Sequence, residues 1–483
     1  VNIRVIARFL GVVVLAVGAA MLCAVPWGIY FHETVGIRAL LVSSAVAAAI
    51  GGALHLFGRT GPADLYRKES LAVVALGWLF ATAVGALPYL LSGTLTSVID
   101  ATFEAMSGFT TTGSTVLTAI EAAPRSILFW RDFTHWLGGM GIVVLFIAIL
   151  PTLGVGGRHL FFSEIPGAVK EDISPRIKST ASMLWKVYVG LSVIEMAALR
   201  AAGMSFYDAQ CHTFGTMATG GFSTRAASIG AYDSLPIELI VIVFMVLAGT
   251  NFSLHVALVR GAPRRLVGDP EWRAYLVIMG VAILLVSFDA LGHGLIDGVG
   301  TALRQASFQV VSIMTTTGYG TADFEQWPSL SKLLLVTLMF VGGCSGSTGG
   351  GMKVLRALVL GKFAYHQVQK IFEPHAVLSM KIGRMTLREE TVRDILGFFI
   401  LFMGIFIAAS LIMSMLGLDM VSATSSVAAT LCNIGPGLGI VGPADDFSTV
   451  PPLGKLVLVA CMLLGRLEIY TVMSLVVPRF WRG

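Results

Sequence analysis

Four short strings of threonine, asparagine and glycine are the residues of this sequence best suited to do chemistry: Thr110–Val116 (TTTGSTV), Ala218–Thr224 (ATGGFST), Thr315–Thr321 (TTTGYGT) and Cys432–Gly439 (CNIGPGLG). What they offer is oxygen. A dehydrating monovalent cation needs several oxygens at once, and rings of peptide carbonyls supply them without burying net charge. Glycine lets a carbonyl take orientations that a Cβ would hinder, and the preceding threonine adds a hydroxyl at the mouth of each ring. With Gly113, Gly220, Gly318 and Gly435 aligned, the upstream segments fall into register, Phe103 and Phe308 each lying ten residues before their glycine. The glycines are 107, 98 and 117 residues apart, room for two spanning helices and one re-entrant segment per repeat. One such string reads as an ordinary turn. Four at equivalent places between long apolar runs need a shared axis, because non-helical backbone at membrane depth survives only when buried in protein or lining a watery path.

The elements that must hold these strings are membrane helices. Of 483 residues, 55% are hydrophobic and 13% charged, against about 25% charged in an average soluble domain, and the mean hydropathy is +0.82. The apolar segments are long continuous runs, which disfavours a β-barrel. Spanning helices are predicted near 9–31, 39–57, 71–92, 127–150, 183–202, 235–259, 274–292, 332–361, 395–416 and 453–477, the eighth interrupted near its middle. Arg4 and Arg8 precede an apolar run, Phe9–Phe31, too long for a signal peptide and read as a retained first helix. The expected fold is an all-α polytopic membrane protein. Two N-terminal helices (1–66) precede four outer helix–pore helix–inner helix units around one pore: 67–160, 161–265, 266–385 with the broken inner helix, and 386–483.

Charge sets the orientation. With the N-terminus inside, 24 of the 33 Lys and Arg residues fall on the termini and inner connections, which places both termini in the cytoplasm. Fifteen of the 28 acidic residues fall on the outer side, among them Asp100, Glu104, Glu121, Asp208, Asp233, Asp323, Glu325, Asp445 and Asp446. A negative outer mouth concentrates cations; the alternative is that outer acid only complements inner base. The basic total therefore anchors topology and does not imply nucleic acid. Cys23, Cys211, Cys344, Cys432 and Cys461 are scattered, form no CxxC pair and read as small buried hydrophobes.

The four glycine strings resemble the degenerate filter loops of the Trk/Ktr/HKT cation-transporter superfamily, and Gly138–Gly167 (GGMGIVVLFIAILPTLGVGGRHLFFSEIPG) resembles its bacterial Trk branch, the TrkH/TrkG potassium-uptake subunits. The resemblance covers essentially the whole chain. It implies a K⁺ selectivity filter at Thr111, Thr112 and Gly113; Thr219, Gly220 and Gly221; Thr316, Thr317 and Gly318; and Asn433, Ile434 and Gly435. It also implies an inner-membrane homodimer with one pore per subunit and a cytoplasmic TrkA-type nucleotide-binding ring as partner, the permeant K⁺ being the only cofactor. A glycine at 113, where Na⁺-preferring plant relatives carry serine, favours K⁺. Only the third string keeps GYG (Gly318–Gly320), which leaves strict selectivity open.

Two features lie on the inner side of these strings. The eighth span holds GGCSGSTGGGMK (Gly342–Lys353). Glycine costs about 1 kcal/mol per interior helix position relative to alanine, so the helix should break there. Lys353 lacks the glycine before it and the Ser/Thr after it that a phosphate-binding loop requires. Close helix packing is one reading of the glycines; an irregular loop crossing the pore is the preferred one. The resemblance supports a mobile gate containing Gly343, Gly346, Gly349, Gly350, Gly351 and Lys353. Arg466, inside the last span, is either half of a structural ion pair with Glu468 or Glu195, or a cation-repelling group beneath the filter, the role the family implies. His135, Glu195 and His212 read as packing or interfacial residues. Two other classes fit the sequence less well. A coupled transporter would use inverted repeats around a midplane site, whereas these repeats share one orientation. An intramembrane enzyme would need a convergent nucleophile–base or metal set, and the chain shows no HExxH or GxSxG.

Overall fold

The structure, a computed structural model, describes residues 1–60, 66–149, 173–374, 379–383 and 385–481. Much of the Gly138–Gly167 string lies outside these residues. The first two helices, Ile3–Tyr30 and Thr34–Gly58, form an antiparallel hairpin. They approach closely because Gly11 and Gly18 leave no side chain in the seam: a Cβ on Gly11 would sit 2.6 Å from the Gly51 carbonyl, and one on Gly18 2.7 Å from Ala47.

Four helical units follow. In the first, the outer helix Arg67–Gly85 continues into Leu87–Leu91, and Val98–Phe109 and Arg125–Ile149 are its short and inner helices. The second comprises Ile173–Ala201, Phe206–Met217 and an inner pair, Leu235–Ala248 with Phe252–Val259. Pro270–Gly292, Val299–Met314 and the pair Ser329–Val341 and Val354–Phe372 make the third; Glu389–Met415, Met420–Leu431 and the pair Pro452–Arg466 and Ile469–Val476 make the fourth. A two-residue antiparallel ladder, Lys381–Ile382 with Met385–Thr386, sits between the third and fourth. Three of the short helices start on a side-chain cap. Ser97 accepts from the Asp100 amide, Ser205 from Asp208, and Asp419 from Val421 and Ser422.

Burial runs opposite to that of a soluble protein. Val277, Leu284, Phe288, Ile400 and Leu411 of the outer helices are more than half exposed, while Thr110, Thr111, Thr112, Thr219, Thr315, Thr316, Thr317 and Asn433 are buried at the centre. An apolar exterior of this kind suits lipid.

The eighth span is interrupted as expected, between Val341 and Val354. Two further breaks were not foreseen: the inner helix of the second unit bends by 99° and that of the fourth by 118°. Neither break contains proline, and each pair of helices is apolar on average despite Thr250 and Asn251 at one break and Arg466 and Glu468 at the other, so averaged hydropathy reads through them. At the first, Asn251 caps the new helix by accepting from the Ser253 amide 2.9 Å away. At the second, Glu468 takes a left-handed backbone with φ +57°.

Arg131 of the first inner helix is buried and ties two units together. Its Nε donates to Glu104 Oε1 at 2.6 Å, its Nη1 to the Ser223 carbonyl at 3.1 Å, and its guanidinium lies 3.5 Å from the centre of the Phe222 ring. Glu104 also accepts from Thr115 Oγ1 and the Val116 amide, both at 2.9 Å. Replacing Arg131 with alanine strands a buried carboxylate, for which about 3–5 kcal/mol is expected. Thermal unfolding of the purified protein in detergent should show a large fall in midpoint for Arg131→Ala and a smaller one for Arg131→Lys.

Candidate functional site

Each of the four strings ends its short helix in the same way. The residue after the helix cap is left-handed in all four: Thr111 (φ +53°), Thr219 (+54°), Thr316 (+62°) and Asn433 (+53°). The next amide reaches back five residues, Thr112 to the Ser107 carbonyl (2.9 Å), Gly220 to Gly215 (2.8 Å), Thr317 to Ser312 (2.9 Å) and Ile434 to Ala429 (2.8 Å). This is the Schellman closure, which normally recruits glycine at its left-handed position. A β-branched threonine there, three times over, is a strained choice costing on the order of 1–3 kcal/mol each, and such strain collects at functional sites.

Two residues further on the backbone is left-handed again, at Gly113 (φ +84°), Gly221 (+78°), Gly318 (+82°) and Gly435 (+111°). The alignment on Gly220 is therefore one residue out: Gly221 is the counterpart of the other three. With two consecutive glycines the sequence cannot say which takes the special conformation, and the shared turn decides it. The triplets Thr111–Gly113, Thr219–Gly221, Thr316–Gly318 and Asn433–Gly435 stand in register.

These triplets converge. A Cβ on Gly113 would collide with the Gly220 carbonyl, one on Gly221 with that of Thr317, and one on Gly318 with that of Ile434. On Gly435 it would come within 3.1 Å of the Thr112 carbonyl. The order runs from first unit to second, third, fourth and back to first. Each unit's glycine lies against the middle carbonyl of its neighbour, so the four middle carbonyls form one closed ring. Two hydrogen bonds fasten the last segment to the first: Ser114 Oγ donates to the Gly435 carbonyl and Asn433 Nδ2 to Thr112 Oγ1, both at 2.9 Å. The short helices end at this ring, so their partial negative C-terminal charge favours a cation there. His135 packs behind the second segment, its ring 4.0 Å from that of Phe222 and its Nδ1 2.8 Å from the Gly108 carbonyl. His212 holds the Asp208 carbonyl and Ser223 Oγ at 2.7 and 2.9 Å. Glu195 is buried.

The glycine-rich stretch 342–353 lies against the inner side of the ring. The Gly350 amide donates to Thr316 Oγ1 (2.7 Å) and the Gly351 amide to the Cys432 carbonyl (3.0 Å). Thr348 Oγ1 donates to the carbonyls of Met217 (3.0 Å) and Ala248 (3.2 Å). The stretch is seated on the break in the second inner helix, the Cys344 amide donating to the Gly249 carbonyl (2.9 Å) and the Phe252 amide to that of Gly346 (3.0 Å). Gly343 and Gly349 pack on this seat and on Thr315, and the Lys353 ammonium closes back on the Gly349 carbonyl. Arg466 is buried; its Nη1 donates to the Thr348 carbonyl at 2.6 Å and its Nη2 to that of Gly138, on the first inner helix, at 3.3 Å. Arg466 thus joins the fourth unit to the third and the first. Glu468 is engaged with Arg356, Oε2 to Nη2 2.7 Å.

Several outer acids are already paired. Asp100 lies 2.6 Å from Lys455, Glu104 is held by Arg131, Asp208 lies 3.6 Å from Arg225, and Asp233 lies 3.3 Å from Arg304. These four acids are paired with basic residues assigned to the same outer side, so their charge is balanced locally. The described residues contain no group of three or more His, Cys, Asp or Glu side chains able to hold a metal ion; the atoms the four strings bring together are backbone carbonyl oxygens.

Re-entrant helices from four like units meeting in a carbonyl ring, inside a lipid-facing bundle, define a membrane transport protein. The family model described as "TrkH: Cation transport protein" matches residues 38–482. The chain is 40% identical over 484 residues to the Trk system potassium uptake protein TrkH of Salmonella typhimurium, and 32% identical over 485 residues to TrkG of Escherichia coli. These alignments cover all of this chain and 100% and 99% of the relatives. The crystal structure of the potassium transporter TrkH from Vibrio parahaemolyticus superposes with a TM-score of 0.91 at 38% identity, covering 100% of both chains. The chain belongs to the TrkH cation transport family, a family of transporters rather than enzymes.

The ring geometry separates glycines that sequence treats alike. Nothing lies within 4 Å of a Cβ built on Gly320, the last glycine of GYG, whereas Gly113, Gly221 and Gly318 have a neighbouring carbonyl in that space. Gly320→Ala should retain rubidium uptake within about twofold of the unaltered protein, since no contact or hydrogen bond is displaced. Gly318→Ala should abolish it while leaving expression and elution volume unchanged, as tracer uptake and size-exclusion chromatography would report.

Proposed function

We propose that this chain takes up potassium across the cytoplasmic membrane, the ion passing through the ring of backbone oxygens. The reading rests on one observation, the four middle carbonyls of Thr112, Gly220, Thr317 and Ile434 facing consecutive neighbours in a closed order. Carbonyl oxygens in rings replace the hydration shell of a K⁺ ion. The triplets Thr111–Gly113, Thr219–Gly221, Thr316–Gly318 and Asn433–Gly435 act as the selectivity filter. Relatives named as potassium uptake proteins, similar over their whole length, support K⁺ as the permeant ion.

The stretch 342–353 and Arg466 form the barrier beneath the filter. A guanidinium held on the Thr348 and Gly138 carbonyls places fixed positive charge among the inner helices, where it repels a descending cation. The domains divide at 66, 160, 265 and 385, the second of these lying outside the described residues, and both termini face the cytoplasm. Two copies form a homodimer with separate pores, and a TrkA-type nucleotide-binding ring acts on the barrier from the cytoplasmic side.

Uptake of radioactive rubidium into liposomes tests both parts. Unlabelled K⁺ should compete more strongly than Na⁺, and Arg466→Ala and a shortened 342–353 loop should each raise flux at least tenfold, the change in rate that lowering the barrier by about 1.4 kcal/mol produces. Absence of cation flux from the reconstituted protein would remove the transport reading. Flux no faster than the unaltered protein in both variants would remove the gate.

A further inference from the structure

We propose that Glu271 is the latch that holds the glycine-rich barrier shut, an inference resting on the gate reading above. Glu271 is buried at the start of the third outer helix, on the side where the loop's two limbs return. A single carboxylate oxygen, Oε1, accepts from the Ser345 amide at 2.7 Å and from the Leu355 amide at 3.0 Å. Ser345 belongs to the descending limb of the loop, and Leu355 to the first turn of the helix that leaves it. One side chain from a neighbouring helix therefore pins both ends of a stretch whose glycines give it little stiffness of its own.

The pin has a clear physical basis. The helix Val354–Phe372 begins without a cap of its own: Lys353, at its start, is left-handed (φ +74°) and supplies no side-chain acceptor. The first amides of a helix need partners from outside its regular i−4 ladder: Val354 donates to the Gly343 carbonyl at 3.0 Å and Leu355 to Glu271, and a carboxylate at a helix N-terminus is favoured by the macrodipole as well as by the hydrogen bond. Glu271 supplies from another helix what a local Asp or Ser usually supplies. The seat on the second inner helix holds Cys344 and Gly346, and the filter side holds Gly350 and Gly351. The limbs also meet directly, the Val354 amide on the Gly343 carbonyl (3.0 Å) and the Met352 amide on that of Phe340 (3.1 Å); Glu271 adds an outside acceptor whose single oxygen bonds both limbs.

Glu271 also has a route to the cytoplasm. Pro270, next to it, packs against Gly383 in the turn of the ladder Lys381–Thr386, a Cβ there lying 3.0 Å from the proline ring. The same ladder contributes Ile382 to an apolar cluster with Val359, Val392 and Ile395, and Val359 lies on the helix the loop feeds. A push on the ladder from a cytoplasmic partner therefore moves both the latch and the helix it caps. Glu271 is a positioning residue: it acts on the ion only through the loop.

The test compares Glu271→Ala, Glu271→Gln and Arg466→Ala in liposomes without any partner protein. Glutamine keeps an oxygen able to accept both amides, so Glu271→Gln should stay within about twofold of the unaltered protein. Alanine should raise basal rubidium flux roughly tenfold, the shift in the closed-to-open ratio expected when two buried amides lose their shared acceptor. Competition by Na⁺ should not change, because the carbonyl ring is untouched; a merely structural role would lower flux and blur selectivity together. If Arg466→Ala raises flux and Glu271→Ala does not, the latch is wrong and the gate stands; if neither does, the gate itself fails. Hydrogen–deuterium exchange on the unaltered protein gives an answer even where Glu271→Ala does not fold. The Ser345 and Leu355 amides should be protected to a similar degree, and rapid exchange at either would overturn the assignment.

Discussion

A peptide group at membrane depth cannot turn to water, so any stretch of chain that leaves the helix there must find its partners within the protein. Among the described residues this chain leaves the helix at seven such places: four glycine strings, one long glycine-rich loop and two bends in inner helices. Its architecture is the joint solution. The strings close their own helices by Schellman bonds and then lie against one another in sequence, each glycine giving its neighbour's carbonyl room. The middle carbonyl of each string lies against the neighbouring string's glycine, which closes the four into a ring.

The bends and the loop solve each other's problem as well. The break at Gly249–Asn251 frees the Ala248 and Gly249 carbonyls, and the loop supplies Thr348 and Cys344 to donate to them. The loop's own donors find Thr316 Oγ1, the Cys432 carbonyl and Glu271. A loop built from glycine has little intrinsic preference for one shape; its shape comes from these receptors, which belong to three different units. Arg466 adds a fourth point of attachment. These outside bonds add to the loop's own, such as the Val354 amide on the Gly343 carbonyl and the Gly349 amide on Ser347 Oγ.

Strain is placed where that network is densest. Threonine in the left-handed region at three of four equivalent turns is not what local preference would choose. It is held by the helix behind it, the neighbour beside it and, at Thr316, the loop beneath it. Asn433, the fourth, is the residue type that tolerates this conformation best, and its side chain is the one that bonds across to the first unit. The unit that departs from the threonine pattern is thus the unit that closes the ring.

The sequence by itself determined that the chain is a helical membrane protein, that four like turns recur in one orientation, that the eighth span breaks and that a buried arginine lies in the last. Each of these is a local property: apolar run length, glycine density, a charge within a span. It did not reveal the breaks in the sixth and tenth spans, which no proline marks, nor which of Gly220 and Gly221 turns left-handed. Nor did it show that Glu104 meets Arg131, or that Glu271 meets the loop from 74 and 84 residues away. Those were decided by tertiary structure, because they depend on which donors and acceptors the fold brings together once water is excluded. Spacing along a chain carries no record of that.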